Sequence, residues 1–292
     1  MNKVGIFIHS RSAAAGRLAD DVRAFLAGKV DEVWHTSDWD DGAIAECIPG
    51  SDLLICLGGD GTVLRAARTV VPHPVRILGV NMGRLGFLAE VRPGELLERL
   101  PDVLDGRCRI EERTMLQVQI PSWSETYHAL NDVVMGRAQV GRPIYVEVAI
   151  DGSRLAVHRC DAVIVASATG STAYSLSAGG PILHPEAREL VLTPVAPHLA
   201  SARPLVLPQE VVIDLTVNAD EDTIVSVDGQ VDRPLASSDS ISVRRSPHTA
   251  RFIRLSEPQD YYSLLAERLD WLRVLRASDN PELFELDAIT SS

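Results

Sequence analysis

Residues 52–70 read DLLICLGGDGTVLRAARTV. The apolar run Leu53-Leu54-Ile55-Cys56-Leu57 has the length of a buried strand rather than of a helix. Three glycines around one aspartate follow, Gly58-Gly59-Asp60-Gly61, and after Thr62 the apolar residues Val63, Leu64, Ala67 and Val70 recur at helical spacing. The stretch therefore predicts strand, tight glycine turn, helix. Such a turn aims several backbone N–H groups at one point, and the helix N-terminus adds partial positive charge there. Glycine also lets the backbone approach a ligand with no Cβ in between. Gly58, Gly59, Gly61 and Thr62 are thus candidates to cradle a phosphate. A plain turn with Asp60 or Thr62 as helix N-cap fits the same residues, and the turn alone does not choose. No lysine follows the glycines as in G-x-x-x-x-G-K-[ST], and no G-x-G-x-x-G occurs, so a P-loop ATPase and an ordinary dehydrogenase lose support.

Outward from this turn, the first 105 residues alternate strands and helices. Strands are predicted over 4–8, 32–34, 53–57 and 77–80, and helices over 18–26 and 95–104. Alternation of this kind implies a doubly wound, mostly parallel sheet, whose ligands bind beyond the C-terminal strand ends. A second glycine-bearing loop, Asn81-Met82-Gly83-Arg84-Leu85-Gly86-Phe87-Leu88, falls at the same edge. From about 106 to 256 the texture becomes all-β. Strands are predicted over 113–120, 128–136, 144–150, 155–157, 162–167, 211–217, 223–227 and 240–244, with turns at Asp151-Gly152, Asn218-Ala219-Asp220 and Asp228-Gly229. A sandwich or stacked sheets fit that pattern. Residues 168–192 interrupt it with a small-residue loop that ends in a helix-like patch, and loops this long inside a domain are usually functional. The tail over 261–275 is amphipathic, with Leu264, Leu265, Leu269 and Leu272, and is expected to pack back on the first domain. Beyond about 280 the sequence reads as a loose end. The expected domains are 1–105, completed by 257–292, and 106–256.

At 292 residues the chain is long enough for two cores. Its net charge of −12 argues against nonspecific nucleic-acid or anionic-membrane binding. An anionic ligand must then be held by backbone amides, single arginines or a metal ion. No apolar run is long enough for a membrane helix, and the start MNKVGIFI is too soon polar for a signal peptide. The four cysteines form no C-x-x-C pair and read as reduced thiols of a cytoplasmic protein.

Several motifs together resemble the NAD kinase family. They are Gly58-Gly59-Asp60-Gly61-Thr62, the 81–88 loop, Asn131-Asp132-Val133-Val134, Thr169-Gly170-Ser171-Thr172-Ala173-Tyr174-Ser175, Gly179-Gly180-Pro181-Ile182, Asp228-Gly229-Gln230, and Tyr262-Ser263-Leu264-Leu265 with Leu269-Asp270-Trp271. The glycine–aspartate turn alone is shared with diacylglycerol and sphingosine kinases; order and spacing over nearly the whole chain carry the resemblance. It implies an α/β domain plus a β-rich domain, and the reaction ATP + NAD⁺ → ADP + NADP⁺, with polyphosphate as a donor in some members. It also implies a homo-oligomer, a dimer or a tetramer. The sequence departs from the family at His9-Ser10-Arg11, where Asn-Pro is usual, at Asp132, where glutamate is commoner, at Ala162 and at Ser167-Ala168.

Phosphoryl transfer to a ribose hydroxyl needs positioning, charge stabilisation and a proton acceptor. Asp60 is the candidate acceptor, and Mg²⁺ or another divalent cation is expected to arrive with the ATP. The resemblance assigns Asn131 and Asp132 to the NAD⁺ ribose and adenine side. It places Asp161 toward the dinucleotide, and Thr172, Ala173, Tyr174, Ser175, Leu176 and Ser177 along the substrate loop; Arg159, two residues before Asp161, points to the same face if the chain there is extended. It makes Gln230 a further contact, beside Asp60 and Gly61. Arg65 and Arg142 are candidates to neutralise the NAD⁺ phosphates. Taken singly, each of these residues also has an ordinary structural reading: an Asx turn at 131–132, a solvated strand start at Asp161, surface arginines, and a type I′ hairpin at Asp228-Gly229. His184 is read as a structural hydrogen-bond partner. A lipid kinase is disfavoured by the acidic balance and by the lack of a basic amphipathic helix. A nucleotide sensor without turnover is disfavoured by Asp60.

Overall fold

The computed structural model describes residues 1–8, 12–36, 41–83, 86–121, 125–138, 142–198, 202–217, 222–236, 239–257, 260–269 and 271. Its first part alternates: β1 (Lys3–Ile8), α1 (Ala13–Leu26), β2 (Glu32–Thr36), α2 (Asp41–Cys47), β3 (Leu53–Gly58), α3 (Asp60–Thr69), β4 (Arg76–Asn81) and, after a 3-10 turn at Pro93–Glu95, α4 (Leu96–Leu104). Strands then dominate: β5 (Arg109–Gln119), β6 (Tyr127–Ala129), β7 (Asp132–Arg137), β8 (Ile144–Ile150), β9 (Ser153–Cys160) and β10 (Ala162–Ala166). A 3-10 turn at Gly170–Thr172 and the short α5 (Tyr174–Ser177) precede β11 (Leu190–Val195), β12 (Leu205–Leu207), β13 (Ile213–Val217), β14 (Thr223–Val227), β15 (Val231–Leu235) and β16 (Ser240–Arg254). From Arg254 onward the chain forms a separate compact unit, whose described helix is α6 (Asp260–Arg268).

β3 is apolar up to its closing glycine because it is buried along its whole length. It lies in the parallel array β2-β1-β3-β4. The chain winds outward from β1 to β2, then returns to the other side of β1 with β3, so the strand order reverses there. Crevices at such reversals are where α/β sheets bind ligands, and the glycine turn opens at the end of β3. The helices bury single stripes. In α1 these residues are Ala15, Ala19, Val22 and Leu26, and the Ser12 hydroxyl caps its start by accepting from the Ala15 N–H at 3.2 Å.

β16 joins the two halves of the protein. It pairs antiparallel with β13 through Ile213↔Val243 to Thr216↔Ser240, and parallel with β4 through Arg251↔Arg76 and Phe252↔Ile77. One sheet thus runs β2-β1-β3-β4-β16-β13-β8-β9, and a second, antiparallel sheet runs β12-β11-β10-β7-β14-β15. Val133, Met135, Val163, Val165 and Val225 of the smaller sheet pack against Val146, Val148, Leu215 and Ile241 of the larger. The β-rich half is therefore a pair of stacked sheets.

Several elements differ from the sequence reading. The strand expected over 128–136 breaks at Leu130-Asn131 into β6 and β7. The helix-like patch at the end of 168–192 forms no helix: residues 185–189 are turn and irregular chain, and β11 begins at Leu190, with positions 190–194 all buried. β16 runs ten residues past the predicted end at 244, to Arg254. Arg84-Leu85, His9-Ser10-Arg11, the turn at 218–220 and the tail beyond 271 lie outside the described residues. Among the described residues, no helix is long and apolar enough to cross a membrane.

Candidate active site

Asp60 is the first residue of α3, directly after the N-cap Gly59. Its carboxylate is gripped by the second glycine loop: Phe87 N–H donates to Oδ2 at 2.7 Å and Leu88 N–H to Oδ1 at 3.1 Å. The two loops are also tied at their bases, where Met82 N–H donates to the Gly58 carbonyl at 3.0 Å, and the second loop is braced on itself by Gly83 N–H donating to Asn81 Oδ1 at 3.0 Å. Gly58 is glycine for packing: a Cβ there would lie 2.2 Å from Thr62 Oγ1. Thr62 is accordingly buried. A Cβ on Gly59 or Gly61 would meet nothing within 4 Å, so that side of the turn is open to a ligand.

The loop after β10 is wound under Asn131. Ser167 N–H donates to the Asn131 carbonyl at 2.8 Å, and the Ser167 hydroxyl donates to the Leu130 carbonyl. A Cβ on Gly170 would sit 2.0 Å from that Asn131 carbonyl oxygen, so only glycine fits. The Ser171 hydroxyl donates to the Ala168 carbonyl at 2.7 Å and accepts from Leu183 N–H at 2.9 Å, closing the loop on itself.

A cavity of about 600 Å³ lies over the smaller sheet. It is floored by alternate residues of β7 (Asp132, Val134, Gly136) and β14 (Ile224, Ser226), with Asp228 beyond. The intervening Val133, Met135 and Val225 face the core, as strand alternation requires. Asn131, Arg137, Asp161, Ala173, Tyr174, Gly229 and Asp232 complete much of the lining. The lining thus carries four carboxylates and one guanidinium, which is paired with one of them: Arg137 Nη2 lies 3.0 Å from Asp161 Oδ2. Such a lining suits ribose hydroxyls, amide groups and cationic rings, and opposes phosphates.

Asp228 occupies the hairpin tip, with φ +55 there and +61 at Gly229, the two left-handed positions of a type I′ turn. Its buried carboxylate accepts from the N–H groups of Leu130 at 2.9 Å, Asn131 at 2.8 Å and Asp132 at 3.2 Å. These bonds favour the charged form, yet burial outweighs them and raises its pKa. Asp132 is pushed up to about 7, first by burial and then by the Asp228 charge. Both carboxyls of the buried pair are thus held above the ordinary carboxylate range, each chiefly by burial, and they titrate as a coupled pair.

The structure brings Asn131, Asp132, Asp161, Ala173 and Tyr174 together in the cavity. Asp60, Gly61 and Arg65 instead share the start of α3, which the hairpin reaches from the other half of the protein. There Gln230 Nε2 donates to the Gly61 carbonyl at 2.9 Å, and from the last turn of the same helix Arg68 Nη1 donates to the Val227 carbonyl at 3.4 Å. Thr172 Oγ1 donates back to the Thr169 carbonyl at 3.1 Å. Ser175 is buried against Thr193, with their hydroxyl oxygens 3.0 Å apart. Leu176 is half-buried and Ser177 exposed in α5, while Arg142 and Arg159 are exposed. His184 Nδ1 accepts from Glu186 N–H at 3.3 Å. Arg68, Arg137, Asp228 and Asp232 are not among the site residues expected from the sequence; Asp228 stood in a legible turn signal, but its bonds to the amides of residues 130–132 are long-range and leave no local mark.

A glycine-bounded carboxylate at a helix start, joined by a hairpin to an acidic cavity, fits the two-domain fold of a nucleotide kinase. Residues 4–108 match the model of the ATP-NAD kinase N-terminal domain and residues 130–255 that of the C-terminal domain. The chain is 45% identical over 222 residues to the NAD kinase of Heliobacterium modesticaldum, covering 75% of this chain and 78% of that protein. It is 37% identical over 264 residues to that of Dehalococcoides mccartyi strain BAV1, covering 89% and 93%. Yeast NADH kinase complexed with NADH superposes with TM-score 0.81 at 24% identity, covering 92% of this chain and 88% of that one. An Archaeoglobus fulgidus NAD kinase in complex with ATP gives TM-score 0.75 at 24% identity, covering 92% and 98%. The chain belongs to the ATP-NAD kinase family, and NAD kinase activity is its enzymatic function.

Proposed function

We propose that Asp60 accepts the proton of the adenosine 2′-hydroxyl of NAD⁺ while ATP gives up its γ-phosphoryl group. The new bond joins the 2′-oxygen to the γ-phosphorus, the bond from that phosphorus to the β–γ bridging oxygen breaks, and ADP leaves. The carrying observation is the setting of Asp60: it opens α3 at the glycine turn, and its carboxylate is fixed by two amides. An aspartate suffices as acceptor when the proton leaves late, once the attacking oxygen has become acidic in a loose transition state.

In this reading the cavity takes the nucleoside part of NAD⁺, with Asn131, Asp132, Asp161, Ala173 and Tyr174 as contacts and Asp228 and Asp232 beside them. Donor phosphates lie against the open side of Gly59 and Gly61, toward the positive end of α3. Arg65, Arg142 and Arg159 offset phosphate charge. Thr172, Ser175, Leu176 and Ser177 shape the substrate loop, and Gln230 sets the distance between the two halves of the site. ATP as donor agrees with the family's description. Mg²⁺ enters as part of the ATP substrate, bridging its phosphates. Assembly into a dimer or tetramer and a cytoplasmic location belong to the same reading.

Asp60→Asn tests it. The variant should bind NAD⁺ as the parent does and lose about 10²–10⁴-fold in turnover, measured with ATP, Mg²⁺ and NAD⁺ through an NADP-specific dehydrogenase. Near-parental turnover removes Asp60 from the role.

A further inference from the structure

The grip on Asp60 depends on what is missing beside it. Each carboxylate oxygen accepts one amide, Oδ2 from Phe87 at 2.7 Å and Oδ1 from Leu88 at 3.1 Å. A carboxylate offers about four lone-pair sites, so this two-point clasp fixes its plane and leaves room for a hydroxyl donor. The clasp closes over Gly86. A Cβ built there would lie 1.9 Å from Asp60 Oδ1, 2.0 Å from Cγ and 2.2 Å from Oδ2, and these are its three nearest heavy atoms. A methyl group at this position would therefore run directly into the carboxylate.

We propose that Gly86 is a positioning residue for Asp60: by presenting no Cβ, it lets the carboxylate lie in the amide clasp of Phe87 and Leu88, aimed for proton transfer. The inference rests on the reading of Asp60 as proton acceptor. Gly86 touches no substrate in this account and acts only through Asp60. A misplacement of about 1 Å in a reacting group costs on the order of 10²-fold in rate, and a methyl at position 86 demands a displacement of that size.

The test is a double-variant cycle with Gly86→Ala, Asp60→Ala and the pair of them, read by kcat, by KM for NAD⁺ and by melting temperature. Gly86→Ala should lower kcat by about 10²-fold or more and leave KM for NAD⁺ within about 3-fold. In the Asp60→Ala background the carboxyl is gone and the methyl has space. There Gly86→Ala should cost less than about 2-fold of the residual turnover and no melting temperature. If Gly86→Ala alone does not fold, recovery of folding in the double variant supports the proposal, and failure of both to fold overturns it. Parental kcat in Gly86→Ala overturns it, as does a loss confined to KM, or an equal loss with and without Asp60. Asp60→Asn separates the two levels. If it turns over normally, the proton-acceptor reading fails. If it is inactive while Gly86→Ala is fully active, only the positioning role fails.

Discussion

Asp132→Asn is expected to be more stable than the parent at alkaline pH, and progressively less so as pH falls. Asparagine is nearly isosteric and keeps the backbone N–H that Asp228 accepts at 3.2 Å, so the substitution removes mainly the buried charge. Asp132 is 5% exposed, and burial with the Asp228 charge raises its carboxyl from 3.8 to about 7. The folded protein therefore holds this proton more tightly than the unfolded chain does. The group's favourable contribution is complete below about 3.8, and it is lost as pH rises through about 7. At about 1.4 kcal/mol per pH unit, the full rise corresponds to about 4 kcal/mol, and on the order of 2–3 kcal/mol of it develops between pH 5 and pH 8. For a chain of this size that is roughly 4–6 °C of melting temperature. Differential scanning calorimetry of parent and variant at pH 5, 6, 7 and 8 measures it. The melting-temperature advantage of the variant should widen steadily across the series. A constant difference would show that Asp132 ionises in the folded protein as it does in water, and the raising of its carboxyl by burial and the Asp228 charge would have to be abandoned.

Gly170→Ala should destabilise the protein by about 1–3 kcal/mol and weaken NAD⁺ binding, because its methyl would meet the Asn131 backbone oxygen at 2.0 Å; unchanged melting temperature and Kd refute the close approach. Glu111→Gln should lower stability by about 3 kcal/mol or more, since it removes the carboxylate 2.7 Å from the buried Arg113 guanidinium. Arg113 Nη1 also lies 3.5 Å from Thr169 Oγ1 at the base of the substrate loop, so KM for NAD⁺ should rise with the loss of stability. A variant as stable as the parent would show that the ion pair adds nothing to the fold.

What could be read from the sequence depended on how local each signal was. The unit β3–turn–α3 was legible because its apolar run, glycines and helical spacing all lie within twenty residues, and β14 matched its predicted bounds because Thr223–Val227 alternates cleanly up to Asp228-Gly229. β16 was cut short because its inward–outward alternation fails at Arg244-Arg245, where the strand passes from pairing with β13 toward pairing with β4. β11 was hidden because positions 190–194 are all buried, leaving no alternation, and because Pro194 lies within a run that pairs with β10. The site divides in the same way. Asn131, Asp132 and Tyr174 stand in short motifs. The structural weight of Asp228 comes from amides 96 to 98 residues away, and its carboxylate also explains the break between β6 and β7. There the chain leaves the sheet at Leu130-Asn131 because three consecutive N–H groups turn toward one buried acid. A reading by periodicity treats that break as noise, whereas the fold uses it to tie residues 130–132 at the cavity edge to the hairpin that touches the helix carrying Asp60.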